Sequence, residues 1–272
     1  MTDIFNTYLN KMISDKKSKC TITAYQADIE QMLEVVGKDE VDISYMDLID
    51  WKASISNLAS ASVSRKVVSI RNYFEFLKNN GVIEINPAKN LKGVHIENKQ
   101  STYIPMQEAI KLLDVGKNPR DKAIVAVYLS TGVRVQELIN IKLSDYQADR
   151  LLINTKGNKE RIIYLNEDCR KYVDDYLTVR KDGIDNLFVS NQHTVMDRKT
   201  ISKTLKVLAN KCGLPTTITN HDLRHSFVSN VCDNYDVQVA CIVVNHASIA
   251  TTMRYCHKTD EQIKNVMQGI KL

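Results

Sequence analysis

What most constrains this chain is a break in its pattern. Residues 86–105, NPAKNLKGVHIENKQSTYIP, are polar, hold Pro87 and Pro105 at either end, and carry no periodic apolar face. A stretch of that kind reads as a linker between separately folded units. With 272 residues in all, each side has enough chain to build a core of its own.

Before the break the pattern is helical. TITAYQADIEQMLEVVG (21–37) starts at a Thr suited to an N-cap, puts Ile22, Tyr25, Ile29, Met32 and Leu33 on one face, and stops near Gly37. DLIDWKASISNL (47–58) is a second helix. SASVSRKVVSIRNYFEFLKNNG (60–81) is the clearest, with Val63, Val67, Ile70, Tyr73, Phe74 and Leu77 at helical spacing and Gly81 as its stop. Arg65, Lys66 and Arg71 share that helix, either to lie on a nucleic-acid backbone or to solvate its outer face. After the break the types mix. Helices are expected at 106–116, 119–132 and 134–141, then at about 167–180, 199–211, 221–233 and 236–244. RLLINTKGNKERIIYL (150–165) instead places two β-branched runs around K-G-N-K, a hairpin signal.

Charge divides along the same line. Residues 1–98 hold 12 Lys/Arg against 13 Asp/Glu, and residues 99–272 hold 25 against 19. A basic second half suits a polyanionic partner, although many domains are as basic without one. The opening MTDIFNTYLNKMISDKK has no apolar run or cleavage site of a signal peptide, and AIVAVYL (123–129) is too short to span a bilayer, so a cytoplasmic protein without membrane partner is expected. The six cysteines are scattered. Cys232, Cys241, Cys256 and His257 match no zinc spacing, so buried thiols and no metal are expected.

Five places in the second half hold groups suited to phosphate chemistry. In STGVRVQEL (130–138), Arg134 follows a glycine turn and Glu137 lies one helical turn on, a pair that can grip and steady a phosphate or simply close a helix-start ion pair. The hairpin tip carries Lys156, Lys159 and Arg161. In HDLRH (221–225), His221 and Arg224 are three apart and share a helix face. His246 ends an apolar helix in VVNHAS, and Tyr255 follows nine residues later in TTMRYCH. Each taken singly has an ordinary structural explanation.

In this order and at these separations, T-G-x-R-x-x-E-L, a hairpin Lys, H-x-L-R-H, and His with Tyr nine residues on resemble the tyrosine recombinase (phage integrase) family. SVSRKVVSIRNYFEFLKNNGVIEINPA and NPAKNLKGV are similar to that family's core-binding domain and its exit. The resemblance implies a mainly α fold with a small β-hairpin or sheet, an α+β catalytic domain, and two domains forming a C-shaped clamp around DNA. The boundaries it implies are a SAM-like core-binding domain at 1–86, a linker at 87–105, a catalytic domain at 106–258, and a C-terminal helix at 259–272 docking between protomers. It implies Arg134, Lys156, His221, Arg224, His246 and Tyr255 as catalytic, Glu137 as support for Arg134, and Arg65, Lys66, Arg71, Lys159 and Arg161 as DNA contacts.

The implied reaction is attack of Tyr255 on a phosphodiester, giving a 3′-phosphotyrosyl bond and a free 5′-hydroxyl, with no ATP, metal or other cofactor. The partners are a double-stranded recombination site and three further copies of the chain in a tetramer across two duplexes. Thr155 and Asn245 stand where the family often has Gly, and Lys159 leaves the choice of proton donor to the hairpin register. Asn is among the residues that best tolerate the left-handed backbone that Gly supplies. The core-binding pattern begins almost at once, which suits a short Xer-like or transposon-type member without an arm-binding domain. A type IB topoisomerase and a catalytically silent DNA-binding accessory are the competing readings.

Overall fold

The computed structural model describes residues 3–95, 104–147, 149–155, 159–245 and 249–253. The chain divides into two units, Met1–Lys99 and Gln100–Leu272.

In the first unit, α1 (Asp3–Ser14), α2 (Lys19–Val36), α3 (Tyr45–Ser54) and α4 (Ser60–Asn79) enclose one core. The expected face of α4 is the buried one: Val63, Val67, Ile70, Tyr73, Phe74 and Leu77 are all inside. Tyr73 is its centre, with Phe5 edge-on at 5.8 Å and Tyr8 at 5.2 Å between ring centroids, a favoured aromatic geometry. Its hydroxyl donates to buried Glu40 at 2.8 Å. Helix α2 begins earlier than Thr21, because Ser18 is extended and its Oγ accepts from Thr21 N at 3.1 Å. It ends as expected at Gly37, whose φ of 65° lets the amide close on Leu33 O. Helix α1 has no counterpart among the sequence-based expectations, although Phe5, Tyr8 and Met12 are spaced to bury one face, as they do.

The linker proves shorter than its polarity suggests. Ala88 and Leu91 are buried in the first core, and Ser64 Oγ donates to Val94 O at 3.0 Å and accepts from Val94 N at 3.1 Å. Two apolar side chains and one hydroxyl are enough to hold this stretch on its unit, so the first unit continues past residue 86.

In the second unit, α6 (Pro119–Thr131) is buried on almost every side from Ala123 to Leu129, as befits a helix that is apolar all round. Around it pack α5 (Met106–Val115), α8 (Glu167–Val179) and α10 (Asn220–Asn234); α9 (Arg198–Lys211) lies against α5 and α10, with α7 (Val135–Asn140), α11 (Val237–Val244) and a short α12 (Ile249–Met253) beside them. The hairpin forms as β2 (Arg150–Thr155) and β3 (Lys159–Tyr164), joined by a two-residue β1 (Tyr146–Gln147) in an antiparallel order β1-β2-β3. Leu151, Ile153 and Ile163 face inward while Ile162 and Tyr164 face solvent. The result is mainly helical with one small antiparallel sheet, the expected fold class. Among the described residues no helix is long and apolar enough to cross a membrane.

Candidate active site

The site is assembled from the ends of helices. Helix α6 stops at Gly132, which adopts φ 59° and bonds back to Tyr128 O at 2.9 Å. Glycine is required twice over here: the left-handed backbone disfavours a side chain, and an added Cβ would sit 2.4 Å from Cδ1 of Phe227. That reversal delivers Arg134 to the N-cap of α7. Glu137, almost wholly buried, accepts from Arg134 N through Oε2 at 2.8 Å and from Arg134 Nη1 through Oε1 at 2.8 Å. The expected support of Arg134 by Glu137 is thus present as geometry, and the arginine side chain itself stays 47% exposed.

Arg224 approaches from α10. It is 3% exposed, donates through Nη1 to Gly132 O, and donates through Nη2 to Val244 O at 3.0 Å. One guanidinium therefore ties the turn that carries Arg134 to the last turn of α11. Helix α11 closes with Asn245 at φ 52°, so this Asn does take the left-handed conformation that Gly would supply. His221, one turn before Arg224, is exposed, and its ring lies 4.0 Å from that of His225. Partial burial, then the charge of Arg224, and further those of Arg134 and Arg198, hold the His221 imidazole below its ordinary pKa, with Asp222 opposing. Two arginines and a neutral imidazole together can bind an anionic oxygen pair and accept a proton.

Lys156, His246, Tyr255 and the tail 259–272 lie outside the described residues, as does the side chain of Lys159. The strands place Thr155 opposite Lys159.

Two of the expected DNA contacts, Arg161 and Lys66, are turned inward, and a third, Arg65, is ion-paired while its side chain stays 45% exposed. Arg161 points inward, its side chain 11% exposed, donating to Val243 O at 2.7 Å and pairing with Glu137 at 3.4 Å. Strand alternation explains it, because Arg161 and inward-facing Ile163 share a face. Arg65 and Lys66 both close on Asp28, which is 1% exposed; Lys66 Nζ reaches Oδ1 at 3.0 Å, and Ser69 Oγ also donates to this carboxylate. A buried carboxylate needs such partners, and it draws Lys66 inward while Arg65 reaches it from an exposed position. Arg71 is exposed. Helix α9, RKTISKTLKVLANK, forms where a helix is expected at about 199–211, and its Arg198, Lys199, Lys203, Lys206 and Lys211, with no acid among them, are cations outside the expected DNA contacts. That one-sided charge was its available signal.

Comparison with known proteins places the chain in a family. The description "Phage integrase family" matches residues 102–262, and "Phage integrase, N-terminal SAM-like domain" matches residues 5–81. The chain is 31% identical to tyrosine recombinase XerC of Caldanaerobacter subterraneus subsp. tengcongensis over 97% of its length and 85% of that protein. It is 28% identical to tyrosine recombinase XerD of Oceanobacillus iheyensis, covering 92% of this chain and 91% of the relative. Among solved structures, a λ integrase (75–356) dimer bound to a COC′ core site superposes with a TM-score of 0.80 at 15% identity, covering 96% of each chain. XerH bound to palindromic difH substrate gives 0.77 at 20% identity, covering 91% of this chain and 79% of that one. The chain belongs to the phage integrase family, and with it to the tyrosine-type enzymes of site-specific DNA recombination.

Proposed function

We propose that Arg134 and Arg224 bracket the nonbridging oxygens of a scissile phosphodiester while Tyr255 attacks phosphorus. The observation that carries this reading is the junction of Gly132, Arg134, Glu137 and Arg224, with His221 one helical turn before Arg224. The two guanidiniums offset the charge that grows in the pentacoordinate state, and being held in advance they need no reorganisation. His221 takes the tyrosine proton, since a phenol of ordinary pKa about 10 is a weak nucleophile until relieved of it. His246 adds a hydrogen bond to the same oxygens, and Lys156 protonates the departing 5′-oxygen. The P–O bond to the 5′-oxygen breaks as the phosphotyrosyl bond forms, so bond energy is kept and a 5′-hydroxyl from a second duplex reverses the step. Neither ATP nor a metal ion enters.

Duplex DNA is held by phosphate contacts from Arg71 and the basic face of α9, with the salt dependence such contacts carry. The working assembly is a tetramer on two duplexes, a reading supported by a λ integrase tetramer bound to a Holliday junction, 16% identical with a TM-score of 0.75. The tail 259–272 docks on a neighbouring copy, and the enzyme works in the cytoplasm.

The test is covalent trapping on nicked suicide duplexes taken from DNA flanking the gene, in EDTA and without ATP. A denaturation-resistant adduct at Tyr255 with a free 5′-hydroxyl is expected. Tyr255→Phe is expected to bind with wild-type affinity and form no adduct; an adduct at wild-type yield would overturn the nucleophile. Lys156→Ala is expected to cleave slowly on a normal duplex and near wild-type rate on a 5′-thio leaving group, which needs no proton. Without that rescue the donor is Lys159 or His221.

A further inference from the structure

Arg161 was expected to touch DNA, and its surroundings give it different work. Its stem lies inside the second unit, opposite buried Ile153 on β2. One end of its fork donates to Val243 O at 2.7 Å, and the other pairs with Glu137 Oε2 at 3.4 Å. Glu137 passes the contact on: the same Oε2 accepts from Arg134 N, and Oε1 accepts from Arg134 Nη1. Val243 and Val244 are the last two residues of α11, and their carbonyls are held by Arg161 and Arg224 respectively. Two cations on the final turn of one helix complement its dipole and meet carbonyls that have no intrahelical partner.

We infer that Arg161 is a positioning residue for the cleavage reaction: it fixes Glu137, and through it Arg134, against the C-terminal turn of α11. The catalytic fork of Arg134 is half exposed and has several rotamers open to it unless its carboxylate partner is itself immobile. Glu137 alone is the end of a short side chain at the start of a six-residue helix. A second guanidinium on the far side of the carboxylate, anchored on a strand and bonded to a backbone carbonyl, removes that freedom. It also mechanically joins β3, which leads out of the hairpin that bears Lys156, to the turn that precedes His246. A Lys in its place keeps the charge but, as a point ammonium on a flexible stem, lacks the planar fork that fixes both acceptors at once.

The inference rests on Arg134 acting at the phosphate, and the experiment separates the two ideas. Single-turnover adduct formation is measured on nicked duplexes carrying either a normal phosphate or a neutral methylphosphonate at the scissile position, alongside DNA binding across a salt series. Because a methylphosphonate lacks one anionic oxygen, it has less need of an arginine. Arg161→Gln, Arg161→Lys and Arg161→Met are compared with Arg134→Ala. The Met variant keeps the buried stem, so that one variant lost to misfolding leaves others to decide, and melting curves identify which have folded.

The expected result is cleavage slowed 10- to 100-fold on the phosphate by Arg161→Gln and Arg161→Met, the scale of losing a supporting contact to a reacting group. Arg161→Lys falls between them and the wild type. Affinity and salt slope stay unchanged, and the deficit narrows to under about threefold on the methylphosphonate, as it does for Arg134→Ala. A deficit equal on both substrates would make Arg161 merely structural and overturn the inference. So would a salt slope reduced by about one, the mark of a lost phosphate contact. If Arg134→Ala cleaves normally, the reading of Arg134 falls and this inference with it. If only the Arg161 variants cleave normally, the inference alone falls.

Discussion

Gly132→Ala perturbs the site through the backbone. The residue holds φ 59° and an added Cβ would lie 2.4 Å from the ring of Phe227, which is itself buried. The left-handed conformation costs an Ala about 1–2 kcal/mol. Forcing a methyl against a packed ring adds about 1–3 kcal/mol, so about 2–5 kcal/mol is expected in all. For a unit of this length, Gln100–Leu272, each kcal/mol lowers Tm by roughly 2–4 °C. Gly213 is the control, with φ 73° and nothing within 4 Å of an added Cβ, so Gly213→Ala carries the backbone cost alone. Thermal melts of both variants, and of Gly132→Ala combined with Phe227→Leu, form a cycle that isolates the steric part. Cleavage should fall further than stability accounts for. The Gly132 carbonyl holds Arg224 and Arg134 follows two residues on, so a shift of about 1 Å costs on the order of 100-fold in rate. Equal melting losses at Gly132 and Gly213 would refute the steric reasoning. Normal cleavage by a destabilised Gly132→Ala would refute the link from this turn to the arginines.

Two further expectations concern stability. Asp28→Asn removes the counter-charge of Lys66, whose side chain is only 13% exposed, and is expected to destabilise the first unit by about 3 kcal/mol in urea melts, with Lys66→Met recovering about half; no loss would mean the pair is dispensable. His225 is held at a pKa of about 4, by burial first and then by the charge of His221, with Arg224 adding and Asp222 opposing. The unfolded chain takes this proton near 6.5 and the folded one only near 4, so stability falls as pH drops through that interval, by up to roughly 3 kcal/mol. Urea midpoints between pH 7 and 4 should flatten in His225→Gln; an unchanged slope would assign the acid sensitivity elsewhere.

Much of the fold was legible because it is local. The buried face of α4 follows from residues three and four apart, the stop of α2 from Gly37, the hairpin from two β-branched runs around K-G-N-K, and the left-handed turn at residue 245 from an Asn that tolerates it. The site's chemistry was legible only as a resemblance, carried by the order and separation of five boxes; local spacing set no more than which near neighbours can meet, as Arg134 and Glu137 do. Helix α1 had a local signal as well and went unread, and α9, a helix the spacing does predict, had a one-sided charge that went unused.

What the sequence by itself determined is therefore which groups exist and which near neighbours they can reach. Only the tertiary structure decided what each long-range charge does. Arg65 and Lys66 meet Asp28 from 37 and 38 residues away, and Arg161 meets Glu137 across 24 residues and Val243 across 82. A cation drawn on an exposed face and one drawn into a core look alike in a string of letters. The difference is made by the desolvation of a buried carboxylate or helix end, which must find a partner and which packing alone brings within reach.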